Sequence, residues 1–248
     1  MNNNNKDKIS EQNIIDLFTK IFNKNIKKSV LLKSGEDDCS ILKIITKKKN
    51  FQIICSTDML HRNTDFPKSM TYFQIGWMSF SVNLSDIASM GCLPVGYLFS
   101  IGIPSSIKIK QLKSIANGME LCSNIYSTPI IGGDTDIHNE LTISGTIIGK
   151  KCNKIIKRKG AKTNDFVCIT GFPGLSGLAY YILKNKFNLK KYNSLYNHLY
   201  IPVPRIKEGY FFSKFDIATS MIDTSDSLAQ SLYKLSRMSN VGFEIYED

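Results

Sequence analysis

The sequence predicts a mixed α/β (α+β) fold built as two successive domains, with helices packed against sheets. Three observations carry that prediction. Segments with apolar residues at helical spacing interleave with short, β-branched apolar runs. The composition, 42% hydrophobic and 21% charged, suits a chain that buries a real core. A basic, turn-like connector at Lys150–Lys162 divides the 248 residues into a longer and a shorter part.

The elements follow in order. Met1–Lys8 is Asn-rich and polar and lacks the apolar centre of a signal peptide. Ser10 is placed to cap a helix whose stripe is Ile14, Ile15, Leu17, Phe18, Ile21 and Phe22. Ser40–Thr46 and Phe51–Thr57 read as strands around a Lys-Lys-Lys-Asn turn. A long helix is expected over Thr71–Met90, closing at Gly91. It is followed by a strand over Val95–Ile103, a helix over Ser106–Asn124, a short strand at Pro129–Ile131 and another at Leu141–Gly149. Past the connector, Phe166–Thr170 reads as a buried strand entering the glycine-rich Gly171–Gly177 loop, a possible phosphate cradle or a plain β–α turn. Helices are expected near Leu175–Lys184, Arg205–Ser213 and Ser225–Ser239, and strands near Ile217–Ile222 and Val241–Tyr246.

Composition also narrows the class. The net charge of +11 comes from lysines spread along the chain, without aromatic interleaving or a zinc knuckle. We therefore read a basic, solvated surface that attracts anionic nucleotides, not a specific nucleic-acid reader. Cys39, Cys55, Cys92, Cys122, Cys152 and Cys168 form no CxxC pair, as expected of reduced thiols in a cytoplasmic protein. The longest apolar runs are too short for a membrane span, so a soluble protein is expected.

The chemistry is concentrated in carboxylates. Acidic residues stand beside Gly, Ser and Thr in Gly35-Glu36-Asp37-Asp38, Ser56-Thr57-Asp58, Asn83-Leu84-Ser85-Asp86, Gly132-Gly133-Asp134-Thr135 and Asp223-Thr224-Ser225-Asp226. Any one of them is more often a helix cap or turn residue than a ligand. Five together, in a chain this basic, point to Mg²⁺, which takes oxygen donors and bridges carboxylates to substrate phosphates. Asp86 and Asn83, three apart, put a polar pair on one face of an apolar helix. The paired glycines before Asp134 allow close backbone approach to a ligand. No GxxxxGK[ST] loop occurs, and His61, His138 and His198 share no motif with a nucleophile. An acceptor that is already anionic needs no general base, so we name no catalytic acid or base and expect metal-assisted, in-line phosphoryl transfer.

Taken in this order, the motifs resemble the thiamine-monophosphate kinases of the aminoimidazole-ribonucleotide-synthetase-like (PurM-like) superfamily, from about Gly35 to the C-terminus. The resemblance includes Arg158-Lys159-Gly160-Ala161-Lys162 and Pro202-Val203-Pro204-Arg205, and Thr57–Asp65 is closest to archaeal members. It implies transfer of the γ-phosphoryl of ATP to thiamine monophosphate, giving thiamine diphosphate in the last step of its biosynthesis. Carried over residue by residue, Asp38, Ser56, Thr57, Asp58, Asp86, Asp134, Asp223 and Asp226 would hold several Mg²⁺ ions. Gly133, Asp134, Arg158 and Ser225 would contact ATP, and Asp65 stands on the substrate side. Residues 1–150 would be the ATP/Mg-binding and dimerisation domain of a homodimer. Residues 151–248 would be an incomplete α/β C-terminal domain, since family members continue beyond Asp248.

The sequence departs from the family pattern at Ser227, where many members carry Gly, and at Met78, where Lys is common; its Gly171–Gly177 loop is also short. Rival readings are a PurM-like relative (an aminoimidazole ribonucleotide ligase, a selenophosphate synthetase or a hydrogenase-maturation protein), a non-catalytic nucleotide-binding remnant and a basic nucleic-acid module. Met1–Lys33 lacks the reactive cysteine that a selenophosphate synthetase would need.

Overall fold

The computed structural model describes residues 10–47, 50–187 and 193–246; the polar tail and the middle of the Lys-Lys-Lys-Asn turn lie outside them. Helix α1 (Glu11–Phe22) starts as its sequence predicts, with Ser10 Oγ accepting from the Asn13 N–H at 3.2 Å. A 3₁₀ turn (Asn23–Asn25) leads to β1 (Val30–Leu32), β2 (Ser40–Ile45) and β3 (Asn50–His61). β3 runs past Thr57 because its second half pairs with β6 (Thr142–Lys150), from Thr57↔Thr146 to His61↔Thr142. Between them come α2 (Tyr72–Ser89), β4 (Leu93–Ile103), α3 (Ile109–Ile125) and β5 (Ile130–Ile137). Thr71 and Gln74 close a reciprocal capping box at the start of α2.

The six strands form one sheet in the order β1-β2-β3-β6-β4-β5. Every pair is antiparallel except β4 with β5, which α3 joins by the helical crossover that parallel neighbours require. Alternation along the strands sorts the side chains. Ile41, Ile54, Ile143, Ile147 and Tyr97 lie buried on the face toward α2, whereas Leu42, Ile44, Phe51 and Met59 stand exposed on the other face. Helices α2 and α3 cross at glycines. A Cβ on Gly76 would overlap the Ile115 carbonyl, and one on Gly118 the Phe73 carbonyl, so the two backbones approach more closely than any side chain permits.

The second half adds α4 (Leu175–Lys184), α5 (Asn193–Tyr200), α6 (Ile206–Phe215) and α7 (Leu228–Ser239). Trp77 Nε1 donates to the Pro202 carbonyl at 2.8 Å, and Ala179, Ile182, Tyr196, Tyr200 and Ile206 join the core cluster that surrounds α2. Among the described residues no helix is long and apolar enough to cross a membrane.

Five expectations need correction. Phe166–Thr170, Ile217–Ile222 and Val241–Tyr246 form no strands; Phe166, Val167, Ile169, Ile217 and Ile245 are exposed. These runs have strand composition, but a strand persists only where a neighbouring strand pairs with it along its length; among the described residues they make only isolated backbone bonds, such as Met221 N–H to the Lys157 carbonyl at 3.1 Å. Helix α7 starts three residues late, at Leu228, with Ser227 rather than Ser225 as its N-cap. Gly132-Gly133-Asp134 lies inside β5, paired with Leu98-Phe99-Ser100, and is not a loop after a short strand. Gly133 suits that register because a Cβ there would meet the Phe99 carbonyl.

Candidate active site

Asp38, Asp86 and Asp223 come together from three distant parts of the chain. Asp38 lies in the loop between β1 and β2, Asp86 in the last turns of α2, and Asp223 in the segment before α7. One carboxylate oxygen from each lies within 4.8 Å of the other two. Asp58, on β3, faces the same space. It pairs with Gly145, whose missing side chain leaves room for Tyr97 and Asn83 on the α2 side of the sheet.

Hydroxyls aim these carboxylates. Ser56 donates to Asp86 Oδ2 and lies 3.1 Å from the Asp38 carbonyl. Ser85 donates to Asp223 Oδ2 at 3.2 Å, Ser225 to Asp223 Oδ1 at 3.3 Å, and Ser231 to the Asp223 carbonyl at 2.7 Å. The Asp37 and Asp38 side chains are buried against Arg158, which contacts Asp38 Oδ1 through a terminal guanidinium nitrogen and places Nε 3.8 Å from Asp37 Oδ1.

The electrostatics is that of a site built for a cation. Burial, with Asp58 nearby, pushes Asp86 up to about 9. Burial, then Asp38, lifts Asp223 to about 6; burial alone dominates at Asp37, also about 6. Asp58 is raised by burial and by Asp38 and Asp226. Carboxylates this close and this dry resist ionising together unless a metal supplies the opposing charge. Asp38 Oδ2 is buried with no hydrogen-bond partner among the described residues, an acceptor waiting for one. An all-oxygen donor set with an orphaned carboxylate oxygen fits Mg²⁺.

Some expected site residues lie elsewhere. Thr57, one step along β3 from Asp58, turns to the opposite face of the sheet and donates to the Gly145 carbonyl at 2.7 Å. Asp134 is exposed on the edge strand β5, paired with Ser100 in the row that holds Met59 and Ser144, again on the face away from α2. Asp226 gives its carboxylate to Lys234 at 2.5 Å but stays near enough to the centre to raise Asp58 and Asp223. Asp65 closes a turn, accepting from the His61 N–H at 2.6 Å and the Thr64 hydroxyl at 2.9 Å. Sequence reasoning passed over two residues. Asp37 was quoted with its neighbour but not chosen, and Ser85 sits one residue before Asp86; i to i+1 spacing alone does not show that both serve one centre.

Residues 36–150 match the family model of the AIR synthase related protein N-terminal domain. The thiamine-monophosphate kinase of Methanospirillum hungatei is 38% identical over 84% of this chain and 68% of its own length. That of Archaeoglobus fulgidus is 34% identical over 94% of this chain and 74% of its own. This chain belongs to the thiamine-monophosphate kinase family. The same architecture recurs in the solved structure of AaThiL complexed with AMPPCP and TMP, with a TM-score of 0.79 at 23% identity, covering 94% of this chain and 71% of that one. The glycine that the resemblance implies at position 227 also finds a reason. Ser227 adopts φ +106, a conformation that costs a side-chain-bearing residue energy and costs glycine none.

Proposed function

We propose that this thiamine-monophosphate kinase moves the γ-phosphoryl of ATP directly onto thiamine monophosphate, with magnesium held by Asp38, Asp86 and Asp223. The observation that supports the metal assignment is the convergence of those three carboxylates, drawn from sequence-distant loops and a helix. Bound there, magnesium supplies charge neutralisation for the phosphate oxygens as the phosphoryl group passes. The protein's part is orientation. Ser56 and Ser85 hold Asp86 and Asp223 in fixed rotamers, and Asp58 adds a fourth carboxylate for a further ion. No side chain is asked to remove a proton, since a phosphate monoester arrives ionised. His61 is instead engaged with Thr142 at 3.0 Å and His138 with the Glu140 carbonyl at 3.1 Å.

Ser225 and Arg158, beside the carboxylates, are assigned to the ATP phosphates, Arg158 by the bidentate grip that a guanidinium offers. Gly133 and Asp134, consecutive residues of the edge strand β5, are assigned to the nucleotide at a subunit boundary. We assign Asp65 to the substrate side through the turn it closes. We further propose a homodimer formed through the sheet face that carries Leu42, Ile44, Phe51 and Met59, and a division of labour at residue 150 between an ATP- and Mg²⁺-binding part and a C-terminal part. A reducing cytoplasm suits the six free thiols.

Mass-spectrometric detection of thiamine diphosphate from protein, ATP, Mg²⁺ and thiamine monophosphate tests the reaction. Product equal to the ADP released supports it. Folded, ATP-binding protein that yields no thiamine diphosphate overturns it.

A further inference from the structure

We propose that Arg158 is a displaceable internal counter-ion: its guanidinium holds Asp38 until a divalent cation takes that carboxylate, and the freed guanidinium then turns to an anionic phosphate of the nucleotide. The inference rests on the reading of Asp38, Asp86 and Asp223 as the metal centre.

The pair is built unlike a permanent one. A buried arginine–carboxylate pair repays its desolvation only when the fork is bidentate and the remaining lone pairs are satisfied. Here one terminal nitrogen meets Asp38 Oδ1, while Asp38 Oδ2 and Arg158 Nε are both buried with no hydrogen-bond partner among the described residues. The second carboxylate in reach, Asp37 Oδ1, stands 3.8 Å from Nε, beyond hydrogen-bonding distance. Half of this interaction is therefore left unmade on each side.

The contested carboxylate is shared. Asp38 is one of three carboxylates that converge on a single cation-sized space, so a metal there and the guanidinium compete for the same negative charge. The backbone around Arg158 is fixed independently of its side chain. Its N–H donates to Asp37 Oδ2 at 3.0 Å, and its carbonyl accepts from Ser220 at 2.7 Å and Ser239 at 3.1 Å. A clamped main chain with an incompletely bound head is a pivot. Ser220 lies three residues before Asp223, so the segment that fixes the pivot also carries a metal-facing carboxylate. Metal binding and nucleotide binding are then coupled, because the first frees the side chain that the second uses.

The test measures Mn²⁺ binding to the nucleotide-free full chain by electron paramagnetic resonance, for the unaltered protein, Arg158→Gln and Lys159→Gln. Arg158→Gln should bind Mn²⁺ on the order of tenfold more tightly, in the range usual for coupled sites, and should bind MgATP less tightly. Lys159→Gln removes the same charge from an exposed neighbour and should leave Mn²⁺ affinity unchanged. Equal or weaker Mn²⁺ binding by Arg158→Gln overturns the proposal, as does an equal gain in Lys159→Gln, which would mean a general field effect. Should Arg158→Gln not fold, the Arg158 Nε–Hε resonance of the unaltered chain, assigned by its loss in Arg158→Lys, decides the matter. Mg²⁺ without nucleotide should shift it and speed its exchange with water; an unmoved signal in Mg²⁺-bound protein overturns the proposal. If the unaltered protein binds neither Mn²⁺ nor Mg²⁺, the metal-centre reading itself fails, a result distinct from binding that ignores Arg158.

Discussion

At the scale of single residues, Asp86 shows how burial and function are traded. Its carboxyl is lifted to about 9 by burial first and by Asp58 second, so in metal-free protein at neutral pH it keeps its proton. An amide has nearly the same shape and hydrogen-bonding capacity as a protonated carboxyl. Asp86→Asn should therefore melt, in EDTA, at or above the temperature of the unaltered protein, yet lose turnover by at least about a hundredfold, as when one preorganised transition-state contact is removed. Melting curves and initial rates check both halves. The pH dependence has a definite sign. The folded state binds a proton that the unfolded state has lost above about 4, so metal-free stability falls as pH rises from about 4 toward 9. Saturating Mg²⁺, which needs the ionised form, should flatten that fall, and its own affinity should rise with pH. Ser227 offers a second residue-scale prediction. Replacing it by Gly removes the cost of φ +106, about 1–3 kcal/mol, against a few tenths for the lost cap. Ser227→Gly should stabilise the protein by about 1 kcal/mol in urea unfolding, and a loss of stability would show that the cap outweighs the strain.

At the scale of elements, what was legible depended on whether the signal was local. The α1 cap at Ser10 and the span of α4 were readable because caps and helical periodicity are written in consecutive residues. The membership of β5 was misread, since Gly132-Gly133 carries turn chemistry, and only the approach of the Phe99 backbone explains glycine inside a strand. The C-terminal β-rich runs were misread for the opposite reason: their propensity is real, but pairing is a property of a neighbour. The candidate site divides in the same way. Asp38, Asp86 and Asp223 were found from their company of Gly and Ser. Thr57 was grouped with them through the family resemblance, and the pleat turns its side chain to the opposite face from Asp58. The α2–α3 crossing was not legible at all, because nothing in the neighbourhood of Gly76 or Gly118 says that each meets the other helix's backbone. Gly76→Ala should destabilise by about 3 kcal/mol or more, the upper range for forced overpacking, because the obstacle is a carbonyl and not a movable side chain. Urea unfolding of that variant beside Ser79→Ala, which alters a buried α2 side chain without adding a Cβ at the crossing, checks the claim.

At the scale of the whole molecule, the sheet is covered by α2 on one face and, among the described residues, open on the other. The strands themselves carry the sign of two covered faces. In β2 and β3, Ile41 and Ile54 point inward while Leu42, Ile44, Phe51 and Ile53 point outward, so the runs are apolar without alternation, a pattern that belongs to sheets buried on both sides. One end of the open face is apolar; the other holds Thr57, Ser144, Thr146, Ser100 and Asp134. A second copy packed on this face would bury the apolar end and bring Asp134 to the subunit boundary, where the nucleotide assignment needs it. Sedimentation should then give twice the 28.0 kDa chain mass. Leu42→Lys combined with Met59→Lys should give a folded monomer, since both side chains are already exposed within one chain and their replacement leaves the α2 core untouched. The monomer should also turn over more slowly than the dimer although Asp38, Asp86 and Asp223 are all intact, because Asp134 would have lost its place. A dimer that survives both lysines would mean that association uses another surface. A fully active monomer would mean that Asp134 serves no site at the boundary, and the acidic centre beside α2 would then be complete within one chain.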